Sequence, residues 1–529
     1  MTKYAPSEIR ELWKKFRENK FHKYLTPCSL VANTENKSVL FNVAGMQQLV
    51  PYLLGKQHPL GKKLYNIQKC IRTNDMEDIW DERHCTAFEM MGNRSLGDYF
   101  KKEALTWSVE FLVRVIGLDI NKLWATIFAG DEKTEIPRDS ESFDILNSLN
   151  ITHIKEIWFD EDGESDNFWT PWPIWPCGPC VEFYYDRWDS YGLDDRDMWI
   201  NDRYTEIWNN VLMSYYRDWS GQIKSLPQTN VDTGMWFERL NMIVSWSETI
   251  FETQIFTPYI DLISSYAQRW YNDAKQSYRI ILDHMRSAVF LSWDGVLPSN
   301  EWRWYVLRRI IRRMYHNANK IGINYMQWTT MLEKYIEQLC DEYNRYYDGL
   351  DDDMKIVWII EKECILFENT INNGVSEFEK LYTSNKLDNK NIFKLFDTYW
   401  LPWDIISDLA KERWVSLDKN AFELELEKIK ELSKKNTWFV KNTERPKYIS
   451  WVPETKFIWY DHMDITNARL LKDFETETWQ RVLIFDQTPF YATWWWQVWD
   501  SGSIVLDSWE ELNIKETIKY AWVYLHLVW

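Results

Sequence analysis

The feature that most constrains the fold is a change of hydrophobic periodicity along the chain. Four long stretches after about residue 257 carry apolar residues at helical spacing: 277–291, 301–319, 331–347 and 355–382. Short strand-like runs mixed with helical patterns precede them, and strand-like runs return after about residue 449, as in 481–485. The 529 residues are too many for one core. We therefore predict an α+β protein with a mixed domain at 1–256, a helical domain at 257–448 and the start of a β-rich domain at 449–529.

The proportions of two residue types are abnormal. The chain has 34 Trp but only 17 Gly in 529 residues, so glycine is roughly 3% of the chain against a usual value of about 7%. Several Trp lie in Pro-rich or Asp-Ser-rich contexts that predict turns, as at 172–176 and 494–499. Such turns favour glycine, because only glycine adopts a positive φ without steric cost. We interpret these Trp as standing where the pattern requires glycine.

Charge and cysteine content restrict the classes of partner and compartment. The net charge of −18 repels nucleic acid at long range, so an RNA partner would need a local basic patch. The seven scattered Cys favour a reducing compartment, and no apolar run is long enough to span a bilayer, so we predict a cytoplasmic protein. Cys177 and Cys180 have the spacing of half a zinc site or a redox pair. No second pair with matching spacing follows, and we predict no metal there.

Three segments in the first 240 residues, 7–46, 72–101 and 231–239, resemble the class II motifs of the alanyl-tRNA synthetases. The second contains RHCTAFEMMGN at 83–93, and the third is VDTGMWFER. Further similar segments at 165–169, 204–209, 294–301 and 488–492 extend the resemblance over nearly the whole chain. It implies an antiparallel catalytic β-sheet flanked by helices, an α-helical tRNA-recognition domain and the start of a β-barrel-like editing domain. The C-terminal part of the family's chain is expected to be missing here.

The resemblance also bears on the excess of tryptophan. The family has glycine at the positions that this chain fills with Trp80, Trp172, Trp175, Trp236, Trp302, Trp304, Trp400, Trp494, Trp495, Trp496 and Trp499. We interpret these residues as UGA codons that the source organism reads as glycine; a pseudogene and a divergent protein are the alternatives. Because bulky residues in strained turns cost about 1–3 kcal/mol each, we expect the chain as written to misfold or to be inactive.

The resemblance assigns the residues that bind ATP. Activation of an amino acid requires charge stabilisation on a polyphosphate by fixed arginines and Mg²⁺ rather than by a covalent nucleophile. Arg72 matches the arginine that grips the α-phosphate, where a planar guanidinium suits bidentate contact. Arg239 matches the arginine near the terminal phosphates and adenine, and Phe88 or Met90 would support the adenine ring. Outside these motifs, a single arginine would be read as a surface ion pair.

The resemblance likewise assigns the residues that bind alanine. Asp232 would supply the negative charge for the ammonium group, while Trp169 and Asn209 would bound the pocket and orient the substrate. Without the motif, Asp232 would be read as a turn cap before Gly234. A small pocket excludes glycine or serine poorly, because one methylene is worth about 1–3 kcal/mol, and the family therefore carries an editing site. The zinc ligands of that site are expected beyond residue 529, so no zinc is expected in this chain.

A basic helix is the predicted contact for the acceptor stem of tRNA(Ala). Its arginines are Arg303, Arg308, Arg309, Arg312 and Arg313, and helical spacing places 308 with 312 and 309 with 313 on common faces. Asn300 matches a family residue that reads the G–U wobble pair, with Asp404 as its partner and Asp397 as the second choice. A charge run without this context would be read as a solvated face.

The sequence therefore predicts an alanine–tRNA ligase that uses alanine, ATP with Mg²⁺ and tRNA(Ala), with no membrane or DNA partner. The alternative is a non-catalytic tRNA-binding fragment or a degenerate copy. Retention of Arg72, Trp169, Asn209, Asp232 and Arg239 together favours the enzyme.

Overall fold

The structure of the protein is a computed structural model. It describes residues 4–31, 41–73, 76, 79, 81–132, 134–160, 164–170, 175–187, 203–218, 222–299, 302–347, 353–397, 401, 403–419, 422, 451–457, 468–475, 481–488, 490, 502–505, 511–520 and 523–528.

The described residues contain the following helices and strands, each numbered in chain order. The helices are α1 (Pro6–Asn19), α2 (Val50–Leu53), α3 (Lys101–Val109), α4 (Ser140–Ser148), α5 (Phe237–Ser245), α6 (Thr257–Ser264), α7 (Lys275–Trp293), α8 (Trp302–Lys320), α9 (Tyr325–Tyr343), α10 (Asp353–Thr383), α11 (Asn389–Asp397) and α12 (Trp403–Glu412). The strands are β1 (Lys23–Tyr24), β2 (Lys63–Ile71), β3 (Ala87–Leu96), β4 (Leu123–Phe128), β5 (His153–Ile157), β6 (Phe168–Trp169), β7 (Trp175–Asp186), β8 (Tyr204–Arg217), β9 (Ile223–Trp236), β10 (Lys456–Phe457), β11 (Leu470–Glu475), β12 (Arg481–Phe485), β13 (Gln487–Thr488), β14 (Gly502–Val505), β15 (Glu511–Tyr520) and β16 (Val523–Val528).

The centre of the first part of the chain is a large, mainly antiparallel sheet. Its described strands follow the order β1-β2-β3-β9-β8-β7-β4-β5, with β6 paired to β7. The pairs β1–β2 and β4–β5 at the two edges are parallel, and the strands between them are antiparallel. Helices α5 and α7 pack against β3. The predicted antiparallel sheet flanked by helices is therefore confirmed.

Strand β3 shows how this sheet tolerates polar residues in its core. All ten of its residues are buried, and burial of a charge is costly unless the charge is paired. Glu89 forms an ion pair with Arg10 of α1. The backbone N–H of Glu89 donates to Glu238, whose carboxylate pairs with Arg286 of α7 at 2.8 Å. These contacts connect α1, α5 and α7 to β3.

The structure corrects part of the turn predicted at residues 172–176. Residues 171–174 lie outside the described residues, but β7 already begins at Trp175. Its pairing to β8 shifts register between Cys177 and Cys180. A bulge of this kind accommodates proline, which cannot donate to a β-ladder. The Pro-rich composition therefore indicated an irregular strand rather than a loop.

The helical region agrees with the periodicity. Helices α7, α8 and α10 cover the predicted stretches within a few residues, whereas α9 lies several residues earlier than the predicted 331–347. None of the helices in the described ranges combines the length and apolar character needed to cross a membrane.

The chain divides into two compact units. The first comprises residues 1–377 and 399–405, and the second comprises 378–398 and 406–529. In the second unit the described strands form a sheet of order β11-β12-β16-β15-β14 and a short pair β10-β13, which agrees with the predicted β-rich region. The predicted boundary at residue 448 lies outside the described residues, so the three-domain division stays a prediction.

Candidate active site

A cavity of about 600 Å³ lies over the central strands of the large sheet. Five residues assigned from the sequence line it, namely Arg72, Met90, Trp169, Asn209 and Asp232. The sheet explains why they meet, because directly paired residues of antiparallel strands point to the same face, as do residues two apart along one strand.

Three cross-strand rows form the floor of the cavity. The first row pairs Val211 with Asp232 and Asp232 with Arg94. The second pairs Glu182 with Asn209 and Asn209 with Gly234. The third pairs Trp236 with Met90, and Glu206 of β8 also lines the cavity. Residues from β3, β7, β8 and β9 thus reach one site from positions far apart in sequence.

Arg94 holds Asp232 in the first row. The Arg94 Nε donates to Asp232 Oδ1 at 2.8 Å, and Nη1 donates to Asn66 Oδ1. Burial raises the pKa of Asp232, while the neighbouring guanidinium opposes that shift. The backbone of Gly45 allows this arrangement, because a Cβ there would lie 2.0 Å from Arg94 Nη2. The Asp232 carboxylate is therefore already paired with a buried cation.

Trp236 fills part of the cavity next to two other assigned residues. Its ring stacks on Phe88 with centroids 3.7 Å apart and planes 2° apart. The Arg239 guanidinium carbon lies 4.1 Å from the Trp236 ring centroid, and Arg239 Nη1 donates to Glu206 at 2.7 Å. We call the position of the indole against Phe88 and Arg239 the stacking slot. Because Trp236 is only 3% exposed, the slot is full.

Glu182 lies in the second row and is buried. Its Oε1 accepts from Asn209 Nδ2 at 2.7 Å, and its Oε2 accepts from the Tyr184 hydroxyl at 2.8 Å. Burial, reinforced by the nearby Glu206 carboxylate, raises the pKa of Glu182 well above its usual range. Among the described residues, no cation lies within ion-pair distance of Glu182.

The arginines of α8 have partners inside the protein. Arg308 and Arg312 both pair with the buried Glu363 of α10, at 3.2 and 2.8 Å. Arg313 donates to the backbone carbonyl of Met76. These contacts join α8 to its neighbours, so the helix is more than a solvated basic face.

Other residues assigned to RNA contact are described only in part. Arg309 is half-buried on α8. Asn300 lies outside the described residues, as do the side chains of Arg303, Asp397 and Asp404. The structure therefore does not place the assigned pair of Asn300 with Asp404, or with Asp397, and the pair stays a prediction.

The Cys177–Cys180 segment is part of the sheet. Both thiols are buried, and burial raises the pKa of Cys177 to about 12. In the described part of the chain, no group of three or more His, Cys, Asp or Glu side chains is placed to hold a metal ion.

Sequence reasoning missed Arg94, Glu182 and Glu206. Arg94 and Glu206 lie within segments already assigned, whereas Glu182 lies outside them, and the importance of all three comes from partners more than 25 residues away. The useful signal was a charged residue in the middle of an otherwise apolar strand, since such a residue requires a partner.

The comparison with known proteins defines the class. Residues 8–529 match the family described as tRNA synthetases class II (A), and the chain belongs to this family.

Its curated relatives are alanine–tRNA ligases. The relative from Fusobacterium nucleatum is 33% identical over 99% of this chain and 60% of its own length. Those from Fervidobacterium nodosum and Thermoanaerobacter are 35% and 33% identical, over 94% and 100% of this chain and 58% and 61% of theirs. The chain thus spans about 60% of the length of the relatives it matches.

Proposed function

We propose that this chain activates alanine with ATP to form alanyl-adenylate and then transfers alanine to the 3′ end of tRNA(Ala). The observation that carries the proposal is the single cavity that joins Arg72, Trp169, Asn209 and Asp232. It provides a cation for a phosphate, a carboxylate for an ammonium group and an aromatic wall. The names of the relatives support the choice of alanine.

ATP would lie between Arg72 and the stacking slot. Arg72 would contact the α-phosphate, and Arg239 would contact the adenine and the terminal phosphates. Phe88 presents a ring on which a planar base could stack, with Met90 beside it. Mg²⁺ would accompany the nucleotide as part of the substrate.

Alanine would bind over Asn209 and Gly234, beside Trp169. The missing side chain of Gly234 lets Met90 lie close to the sheet, since a Cβ there would come within 2.8 Å of Met90 Sδ. Asp232 would offer its second oxygen to the substrate ammonium.

The acceptor stem of tRNA(Ala) would lie along α8. Arg303, Arg308, Arg309, Arg312 and Arg313 would contribute positive charge, although Glu363 offsets part of it. Asn300 with Asp404, or with Asp397, would read the G–U pair. In this scheme residues 1–256 form the catalytic domain, 257–448 the tRNA-recognition domain and 449–529 the first part of an editing domain.

Recoding of UGA as glycine is part of the proposal. Independent support comes from Trp246 and Trp414, which have φ of 57° and 60° and follow the ends of α5 and α12. They are 56% and 96% exposed, so neither burial nor backbone preference favours tryptophan there. Left-handed residues after a helix are usually glycine.

One observation favours the alternative for the chain as written. With Trp236 in the stacking slot, a nucleotide base has no room against Phe88. The φ of Trp236 is −75°, so the backbone there does not require glycine. Glycine at 236 would serve to leave space. A chain that truly carries Trp236 would therefore be a tRNA-binding protein without ATP-dependent activity.

Two measurements test these proposals. ATP–pyrophosphate exchange should depend on alanine and proceed far more slowly with other amino acids; exchange without this selectivity would contradict the proposed substrate. The tryptic peptide 225–239 from the native source should have the mass for glycine at 236. The mass for tryptophan would contradict recoding.

A further inference from the structure

A largely buried carboxylate directly after α7 contacts the large sheet outside the cavity. Asp294 is the first residue after α7 and opens the segment 294–301, which resembles the family. Gly295 follows with φ 84°, and the backbone N–H of Val296 donates to the Leu291 carbonyl at 3.0 Å, so the helix ends in a left-handed turn. The Asp294 side chain is 10% exposed and reaches β2.

Asp294 accepts hydrogen bonds from one side chain and from one backbone group. Its Oδ1 accepts from Lys69 Nζ of β2 at 3.1 Å, and its Oδ2 accepts from the backbone N–H of Leu30 at 2.5 Å. Burial lowers the pKa of Lys69, and the Asp294 carboxylate opposes this shift. The carboxylate therefore compensates a buried cation and fixes the backbone at residue 30.

A series of hydrogen bonds continues from Leu30 to Arg72. The Leu30 carbonyl accepts from the Asn42 N–H at 2.8 Å, and the Asn42 carbonyl accepts from the Ile71 N–H at 3.0 Å. Arg72 follows Ile71 directly, and its Nε donates to the Val43 carbonyl at 3.3 Å. Among the described residues, this is the one hydrogen bond that the Arg72 guanidinium makes. Residues 42–43 thus hold both the backbone before Arg72 and its side chain.

We propose that Asp294 is a positioning residue for Arg72, which it holds through Leu30 and residues 42–43 on one side and through Lys69 on the other. Lys69 lies three residues before Arg72 in the chain, so both partners of the carboxylate lead to the same arginine. A bidentate phosphate contact requires a guanidinium plane with a fixed orientation. The inference rests on the proposed function only for the phosphate contact assigned to Arg72.

The test measures ATP–pyrophosphate exchange and the melting temperature on the full chain with Trp236→Gly. The double substitution Lys69→Met/Asp294→Leu removes the ion pair and the acceptor for the Leu30 N–H, and apolar residues of similar size leave neither charge unpaired. Asp294→Asn is the milder variant, because its amide keeps an oxygen for the same N–H.

Asp139→Asn is the matched control. The Asp139 carboxylate is also buried and also accepts from a lysine and a backbone N–H, namely Lys101 Nζ at 2.6 Å and the Ser142 N–H at 3.1 Å. Neither Asp139 nor Lys101 lines the cavity. The control therefore makes the same substitution in a similar ion pair that does not lead to Arg72.

We expect Lys69→Met/Asp294→Leu to raise the KM for ATP at least about tenfold, the usual scale for loss of a charged hydrogen-bond acceptor. Asp294→Asn should give a smaller rise, and Asp139→Asn should leave the KM for ATP within about twofold of the parent. The KM for alanine should change less than the KM for ATP in each variant at residue 294, because the phosphate contact is the one that Arg72 makes.

A double-mutant cycle with Arg72→Gln tests whether the effect passes through Arg72. Because Arg72→Gln removes the guanidinium, Asp294 has nothing left to orient in that background. Adding Lys69→Met/Asp294→Leu to Arg72→Gln should then lower kcat/KM for ATP by less than about threefold further. A merely structural role of the ion pair would instead multiply the two losses.

Four outcomes would overturn the inference. An unchanged KM for ATP in the folded double variant would refute the role of Asp294, and exchange by the parent would leave the proposed function intact. Losses that multiply in the cycle would assign the effect to groups other than Arg72. An equal rise in KM for Asp139→Asn would assign it to general destabilisation. A folded parent without exchange would refute the proposed function and, with it, the phosphate contact of Arg72.

Discussion

The substitution Trp236→Gly should open the stacking slot. The indole lies 3.7 Å from the Phe88 ring and is 3% exposed, so it excludes a purine from this surface. Stacking of a base on an aromatic side chain is worth about 1–3 kcal/mol, which corresponds to about 5- to 150-fold in affinity. We expect ATP to bind at least about tenfold more tightly to Trp236→Gly than to the chain as written.

The assay is equilibrium binding of ATP together with the melting temperature. Without ligand, Trp236→Gly should melt at a lower temperature, because loss of a buried tryptophan costs about 3–5 kcal/mol in a closed core and less beside an open cavity. ATP at 100 times its Kd should raise the free energy of unfolding of this variant by about 2.7 kcal/mol. The chain as written should show little rise in melting temperature with ATP.

Trp304→Gly is the matched control, because it makes the same replacement at another position assigned to glycine. Trp304 lies in α8 and does not line the cavity. Glycine in a helix costs about 1 kcal/mol, so the protein should be slightly less stable with unchanged ATP affinity. Equal ATP affinity in the chain as written and in Trp236→Gly would refute the stacking slot.

Three further outcomes are expected. Arg72→Lys should lower alanine-dependent exchange about 100-fold, since a point charge replaces a planar donor pair; exchange within threefold of the parent would argue against phosphate contact. Trp246→Gly should raise the free energy of unfolding by about 1 kcal/mol, because glycine adopts the left-handed backbone conformation without strain. The control Trp270→Gly alters an exposed tryptophan at φ −72° and should give no gain in stability. Equal gains in the two variants would show that the positive φ of Trp246 is not the cause. Burial lowers the pKa of His526 to about 4, below its usual value near 6.5, so its neutral form contributes stability that is complete above about pH 6.5 and is lost as the pH falls towards 4. In His526→Asn, circular-dichroism melts of the second unit should show a smaller loss of stability as the pH falls from about 6.5 towards 4. An unchanged loss of stability would assign it to other groups.

The sequence predicted helices and strands well where apolar residues recur at one regular spacing along the whole element. Helix α7 and strand β12 lie where the periodicity predicted them, because the apolar residues of each follow one regular spacing within a continuous segment. The start of strand β7 was predicted as a turn, because its prolines indicate a turn when the segment is considered in isolation. Only the neighbouring strand, and the bulge that it permits, makes them compatible with a sheet.

The candidate site was predicted through motifs, and the remainder depends on tertiary contacts. Arg72 and Asn209 could be assigned because they lie in ordered segments. The pairing of Arg94 with Asp232 joins residues 138 positions apart, and no rule of sequence spacing predicts a contact over such a separation. The same holds for Glu363, which engages two arginines of the helix assigned to tRNA.

Transfer of labelled alanine to a tRNA(Ala) transcript tests the central claim most directly. The experiment compares a transcript that has the acceptor-stem G–U pair with one that has G–C there, using the chain with glycine at the positions assigned to recoding. We predict alanine at the 3′ end of the G–U transcript and at least tenfold slower charging of the G–C transcript, since loss of one specific base-pair contact costs about 1–3 kcal/mol. Absence of charging of both transcripts, with ATP and Mg²⁺ present and the protein folded, would contradict the account.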